Sequence, residues 1–122
     1  MTNSDRFLNA AQSVADSLAA MAEPAVGGTR WETLTYAGDR QYSTAVFGGM
    51  AGVIFLFSDL FRINGDTTAR EVAEAAAMWV ELESKAALTE SEADPSLYSG
   101  LAGHGQMFLH LFEATGRDRW LR

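Results

Sequence analysis

The chain contains one stretch written twice. Gly49 to Gly65 reads GMAGVIFLFSDLFRING, and Gly100 to Gly116 reads GLAGHGQMFLHLFEATG. Placing each residue on the one 51 positions later aligns 17 positions without a gap, and seven of them are identical. The identities are Gly49/Gly100, Ala51/Ala102, Gly52/Gly103, Phe57/Phe108, Leu60/Leu111, Phe61/Phe112 and Gly65/Gly116. Met50/Leu101 and Leu56/Met107 are conservative pairs. Both copies open on Gly-Xaa-Ala-Gly and close on a glycine. Repeats of roughly 20–50 residues signal solenoids or closed helical rings. A helix that is apolar on nearly every face cannot be covered by one partner, whereas stacked helical pairs can cover it.

The segments around the two copies supply that cover. Phe7, Leu8, Ala11, Val14, Ala15, Leu18, Met21 and Ala22 recur at three- and four-residue steps, which predicts an amphipathic first helix. Ser4 is placed to cap it, and Pro24 ends it by excluding Glu23 from helical geometry. Gly27 and Gly28 read as a loop. WETLTY, from Trp31 to Tyr36, is rich in β-formers, and the following Ala-Gly-Asp permits a small hairpin; the alternative is a long connection pinned by Trp31. The second helix is expected to begin between Ser43 and Gly49 and to run to about Ile63, where Asn64-Gly65 stops it. Thr68 and Glu71 have the spacing of a capping box at the head of a third helix. Val72, Ala73, Ala76, Trp79 and Val80 form its apolar stripe, with Glu74, Glu81 and Lys85 off it. Thr89 to Ser96 reads as a polar loop. The second copy then forms a fourth helix that Gly116 stops, and RDRWLR reads as one further helical turn. Trp31, Trp79 and Trp120 are expected to pack hairpins together, with Trp120 poorly covered. The fold class is therefore all-α: helical hairpins of an α/α-toroid (α/α-barrel), in an incomplete arc of about two hairpins.

Composition removes several functions. The formal charge is −7 and no basic cluster appears, so sequence-independent nucleic-acid binding is not expected. There is no cysteine, which excludes disulfides, thiolate nucleophiles and thiolate-bound zinc within this chain. That composition fits a reducing compartment, and a cytoplasmic location is expected. The N-terminus lacks a signal-peptide pattern, because Asp5 and Asp16 interrupt it. The longest uncharged run, Gln41 to Ser58, has its strongly apolar part only from Ala45 to Phe57, too short for a membrane span.

SLYSGLAGHGQMFLHLFEATGRDRW, with FGGMAGVIFLFSDLFRINGDT before it, resembles the repeat of the LanC-like family, the lanthionine synthetase C proteins. The resemblance covers roughly Trp31 to Trp120. It implies that residues 1–122 are the N-terminal part of a LanC-like α/α-toroid domain, with repeat copies near 43–88 and 97–122. Complete members hold zinc with two cysteines and a histidine. The metal activates a substrate cysteine, which adds to dehydroalanine or dehydrobutyrine to close a thioether (lanthionine) ring. Those ligands lie in later repeats, so no catalytic, cofactor-binding or metal-binding residue of the family falls on a position here. The resemblance thus implies a truncated scaffold segment, non-catalytic alone and without a cofactor. Its partners would be the remaining toroid segment, a second copy of itself or a peptide substrate. The alternative reading is a helical-repeat interaction module that self-associates or binds a peptide through its open edge.

Three polar residues invite a site. His104 and His110 are six apart, about 120° around a helix, unlike a metal-binding i, i+4 pair. A polar residue near a barrel mouth is the simpler reading of His104, whose counterpart is Val53. Glu113 is spaced to pair with His110. Asp59 interrupts an apolar helix and needs a partner, for which Arg62 and Arg40 are candidates. Glu81, Glu83, Glu90, Glu92 and Asp94 read as a solvated face and loop. The Gly-rich helix heads favour close packing over phosphate binding. A carbohydrate- or terpenoid-active α/α-barrel would need paired carboxylates in a cavity, and only Asp59 lies deep in an inner helix.

Overall fold

A computed structural model describes residues 2–25, 27–34, 38–44, 49–88 and 101–121. Among them are helices α1 (Asn3–Met21), α2 (Met50–Asn64), α3 (Thr67–Leu88) and α4 (Leu101–Thr115), and a 3-10 turn at Asp118–Leu121. Two antiparallel ribbons join α1 to α2: β1 (Glu23–Ala25) with β2 (Gly28–Arg30), and β3 (Thr33–Leu34) with β4 (Arg40–Gln41). The chain is mostly helical, as the apolar periodicity predicts. No helix among the described residues is long and apolar enough to cross a membrane. The heads of the fourth helix at Ser99 and Gly100, the loop from Thr89 to Ser96, and Ala45 to Gly48 lie outside the described residues.

The two repeat copies form helices with matching stops. Asn64 and Thr115 end them, separated by the same 51 residues as the sequence repeat. Both end on a left-handed glycine, Gly65 and Gly116, each with φ of +71°. The Gly65 N–H donates to the Phe61 carbonyl at 2.8 Å, and the Gly116 N–H to the Phe112 carbonyl at 2.7 Å. A side chain is disfavoured at that φ, which explains why glycine stands at both stops.

The side-chain contacts fix the helix directions. His104 near the start of α4 meets Ser84 near the end of α3, while Trp120 just beyond α4 reaches Glu74 in the first half of α3. So α3 and α4 are antiparallel. Thr44 leads into α2, accepts the Ala51 N–H, and also approaches His104. Asp59, further along α2, meets His110, further along α4. So α2 and α4 run the same way, with α3 against both.

Met50, Ala51, Ile54, Phe57 and Leu60 of α2 are buried with Ala69, Ala73, Ala76, Ala77, Trp79 and Val80 of α3 and Met107 and Leu111 of α4. Alanine on α3 lets its backbone approach the larger side chains of α2, so large and small residues interdigitate. Trp31 closes another side of α2. It stacks on Phe57 with ring centroids 6.0 Å apart and donates its indole N–H to the Leu18 carbonyl of α1 at 2.6 Å.

Several local expectations shift. The cap of α1 is Thr2, not Ser4: its hydroxyl accepts the Asp5 N–H at 3.1 Å, and Asp5 accepts the Thr2 N–H in return. Thr68 and Glu71 form no box at the head of α3, because the helix starts at Thr67 and Asp66 accepts the Ala69 N–H at 3.2 Å. The α1 stripe is narrower than its periodicity suggests. Ala15 is buried and Leu8, Ala11 and Leu18 are half-buried, but Phe7, Val14 and Met21, spaced by seven along one edge, are exposed. Trp120 is not poorly covered: it is buried, stacked on Phe108 at 6.1 Å. Thr33–Leu34 pairs antiparallel with Arg40–Gln41, in keeping with the hairpin alternative, and Gly28 belongs to a second ribbon.

Gly28 is held by contact rather than conformation. A Cβ there would overlap the Ala75 carbonyl oxygen and lie 2.9 Å from the Trp79 nitrogen. The ribbon therefore sits directly on the α3 backbone. Gly28→Ala is expected to lower unfolding free energy by about 1–3 kcal/mol through overpacking. Gly105→Ala, where a Cβ meets open space, is expected to raise it by up to about 1 kcal/mol through helix propensity. Urea denaturation of the two variants checks both signs.

Candidate functional site

The titratable residues singled out by sequence separate into two unconnected pairs. His110 lies on α4 and Asp59 on α2, and the imidazole Nε2 donates to Asp59 Oδ1 at 2.7 Å. The Phe55 ring stands edge-on to the imidazole, 4.9 Å between centroids. The His110 side chain is largely covered, whereas that of Asp59 is 49% exposed. Asp59 thus finds neither Arg62, which is exposed, nor Arg40, which pairs with Glu32 at 3.2 Å. His110 likewise pairs across helices with Asp59 rather than along its own helix with Glu113. The reason is geometric: Asp59 and His110 occupy the same repeat position, and parallel neighbouring helices bring equivalent positions to one level.

Asp59 also lines an apolar cleft of about 540 Å³ between α1 and α2, with Phe7, Leu8, Ala11, Leu56, Leu60 and Ile63 among its other walls. Chemically, the pair supplies one imidazole oriented by a carboxylate.

His104 lies elsewhere. Its Nδ1 is 2.9 Å from the Ser84 hydroxyl, and both residues are buried. Its Nε2 has no partner of good hydrogen-bond geometry. Burial pushes the imidazole below its ordinary pKa, and the Thr44 backbone works weakly in the opposite direction. A neutral ring accepts the Ser84 hydroxyl at Nδ1 and keeps its proton on Nε2. No carboxylate stands behind that ring, and Ser84 is covered, so the contact ties the end of α3 to the start of α4 rather than presenting a nucleophile. His104 is thus a buried tie between helices near the start of α4.

The two histidines do not converge. Among the described residues no group of three or more His, Asp or Glu side chains is placed to hold a metal ion. The head of α2 is also engaged: the Met50 N–H donates to the Ser43 carbonyl at 2.8 Å and the Ala51 N–H to the Thr44 carbonyl at 3.2 Å. Those donors are turned inward to the preceding loop rather than toward an anion.

Sequence reasoning missed a third polar cluster. Glu74, read as an off-stripe surface residue, accepts the Trp120 indole N–H at 3.1 Å and faces Arg117 at 3.3 Å and Arg70 at 3.5 Å. The i, i+4 spacing of Arg70 and Glu74 was the only signal in the sequence. The contacts from beyond α4 are long-range and leave none.

The sequence matches no family model, and no curated protein or solved structure matches it.

The His104 environment gives a pH dependence. Its folded pKa lies below the value of 6.5 for a free histidine, so between the two the unfolded chain binds more protons. Stability contributed here is full above the unfolded pKa and falls as pH drops, by at most about 1.4 kcal/mol per pH unit. In paired urea titrations at neutral and mildly acidic pH, His104→Gln is expected to show a smaller loss on acidification than the parent chain.

Proposed function

We propose that the chain is a scaffold segment of LanC-like α/α-toroid type, in which α2 and α4 are successive inner helices and α3 shields them from outside. The observation that carries this reading is the equivalence of α2 and α4. They share stops and direction, and Asp59 and His110, one repeat apart, touch. The buried faces of α2 and the amphipathic character of α3 support the same layering.

The zinc chemistry of complete family members does not fit the residues present. That metal is held by two cysteines and a histidine, and this chain has no cysteine. Its histidines are committed to Ser84 and Asp59. The segment therefore contributes wall and packing surface, and thiolate activation belongs to ligands it does not supply.

Incubation with zinc and a dehydrated, cysteine-containing peptide tests this. The peptide is expected to keep an alkylatable thiol by mass spectrometry, with no stoichiometric zinc binding by calorimetry. Stoichiometric zinc together with loss of the thiol would overturn the scaffold reading.

A second reading, an interaction module, is favoured by the bare apolar surface on α1 and α2. Phe7 is 74% exposed and Ile63 67% exposed, on opposite lips of the α1–α2 cleft. Contiguous surfaces of this kind recruit partners.

A further inference from the structure

The faces of α2 and α4 differ in a way that names an occupant. On α2, Ala51, Ile54 and Ser58 are buried and Phe55 rests on His110. Their counterparts on α4 are Ala102, Gly105, Leu109 and Gln106, and all four are exposed. On the opposite side the order reverses. Gly103, His104 and Met107 of α4 are buried, whereas Gly52, Val53 and Leu56 of α2 are only half-buried. Leu56 lines the open cleft with Asp59 and Ile63. Each helix thus has one face that receives a following neighbour and one that docks onto a preceding one. Within the chain, the receiving face of α2 is covered and the docking face of α4 is used. The receiving face of α4 and the docking flank of α2 remain open.

We propose that these two open faces bind each other between copies of the chain, head to tail, with α4 of one copy laid along the cleft beside α2 of the next. The polar residues match this arrangement. Within the chain, position 59 meets position 110 as Asp against His. Repeating that step between copies brings the same level of α4, with the exposed Gln106 one turn before His110, beside Asp59 of the next molecule. Asp59 is free to take part, because its carboxylate is half-exposed and can accept several hydrogen bonds. Gln106, which replaces Phe55 in the repeat, brings an amide donor to the same carboxylate. The apolar match is Leu109, 42% exposed, with Gly105 and Ala102 beside it, entering a cleft walled by Phe7, Leu56 and Ile63. Small residues there allow close helix approach. The contact is heterologous, so it generates rings or open chains rather than closed pairs.

This deepens the interaction-module reading and rests on it through the equivalence of α2 and α4. Sedimentation velocity over a concentration series tests it, with circular dichroism to verify that variants fold. The parent chain is expected to grow beyond a dimer with concentration. Leu109→Glu alters only the α4 face and Phe7→Glu only the cleft, and each alone is expected to weaken association at least tenfold. An equimolar mixture of the two retains one intact pair of faces and is expected to stop at a dimer. Association unchanged in both variants overturns the assigned faces while leaving the interaction module standing. Variants that fail singly and also fail when mixed overturn the head-to-tail arrangement. A parent chain that stays monomeric throughout overturns this inference and the self-association form of the interaction-module reading, while leaving its peptide-binding form standing.

Discussion

The covering of α2 is the constraint on which the other elements depend. Its residues point apolar groups in nearly every direction, and full burial of a Leu, Ile, Phe or Met side chain contributes about 1.5–3 kcal/mol. No single neighbour can reach all of that surface. Alanines of α3 cover one side, α4 a second, and Trp31, held by Leu18 of α1, a third. The ribbons between α1 and α2 are best understood as the means of placing Trp31. The β1–β2 turn lies against α3 through Gly28, which fixes the approach of the segment that follows. A loop without that contact would leave the indole free to swing away from Phe57.

Burying α2 and α4 side by side brings polar groups into the interior; three of them are matched across elements, whereas the buried Ser58 hydroxyl has no hydrogen-bond partner among the described residues. His104 faces Ser84, which satisfies one nitrogen, and burial favours the neutral ring. Asp59 and His110 meet at the rim, where water still reaches the carboxylate. Glu74 gathers an indole N–H and two guanidinium groups at the far end of α3. These contacts join different helices, and each lies at an end or an edge of the apolar layer. Partly exposed ion pairs contribute little free energy, about 0–1 kcal/mol. Their effect is positional: they select one register of α3 and α4 on α2 among alternatives that bury similar apolar area.

The helices, their stops and the contrast between all-round apolar and amphipathic helices were legible because they follow from local rules. Apolar period, a proline after α1 and paired glycines after α2 and α4 are all written within a few residues. Caps were less legible, since Thr2, Ser4, Asp66 and Thr68 are all competent and the choice depends on where the first turn closes. The partners of Asp59, His110, Glu74 and Trp120 were not legible from spacing along one helix. Each reaches across 46 or 51 residues, and only the placement of neighbouring helices decides which candidate is near. Yet one clue to the site was present. The repeat alignment itself sets Asp59 on His110, and in parallel adjacent helices equivalent positions lie at the same level.

That clue bears on how a repeat can acquire function without a new fold. Identical residues at equivalent positions of neighbouring helices would place like on like, which suits Leu60/Leu111 but would be repulsive for two carboxylates. The chain keeps identity where the contact is apolar or the backbone needs glycine. It changes identity where a polar pair is formed: Asp59 against His110, with Phe55 replaced by Gln106 beside them. At that boundary, divergence between the copies supplies the polar pair. A repeat that diverges in this way does two things at once. It satisfies the contact already made inside the chain, and it leaves Gln106, an amide donor, exposed on α4 where the first copy carries an aromatic ring.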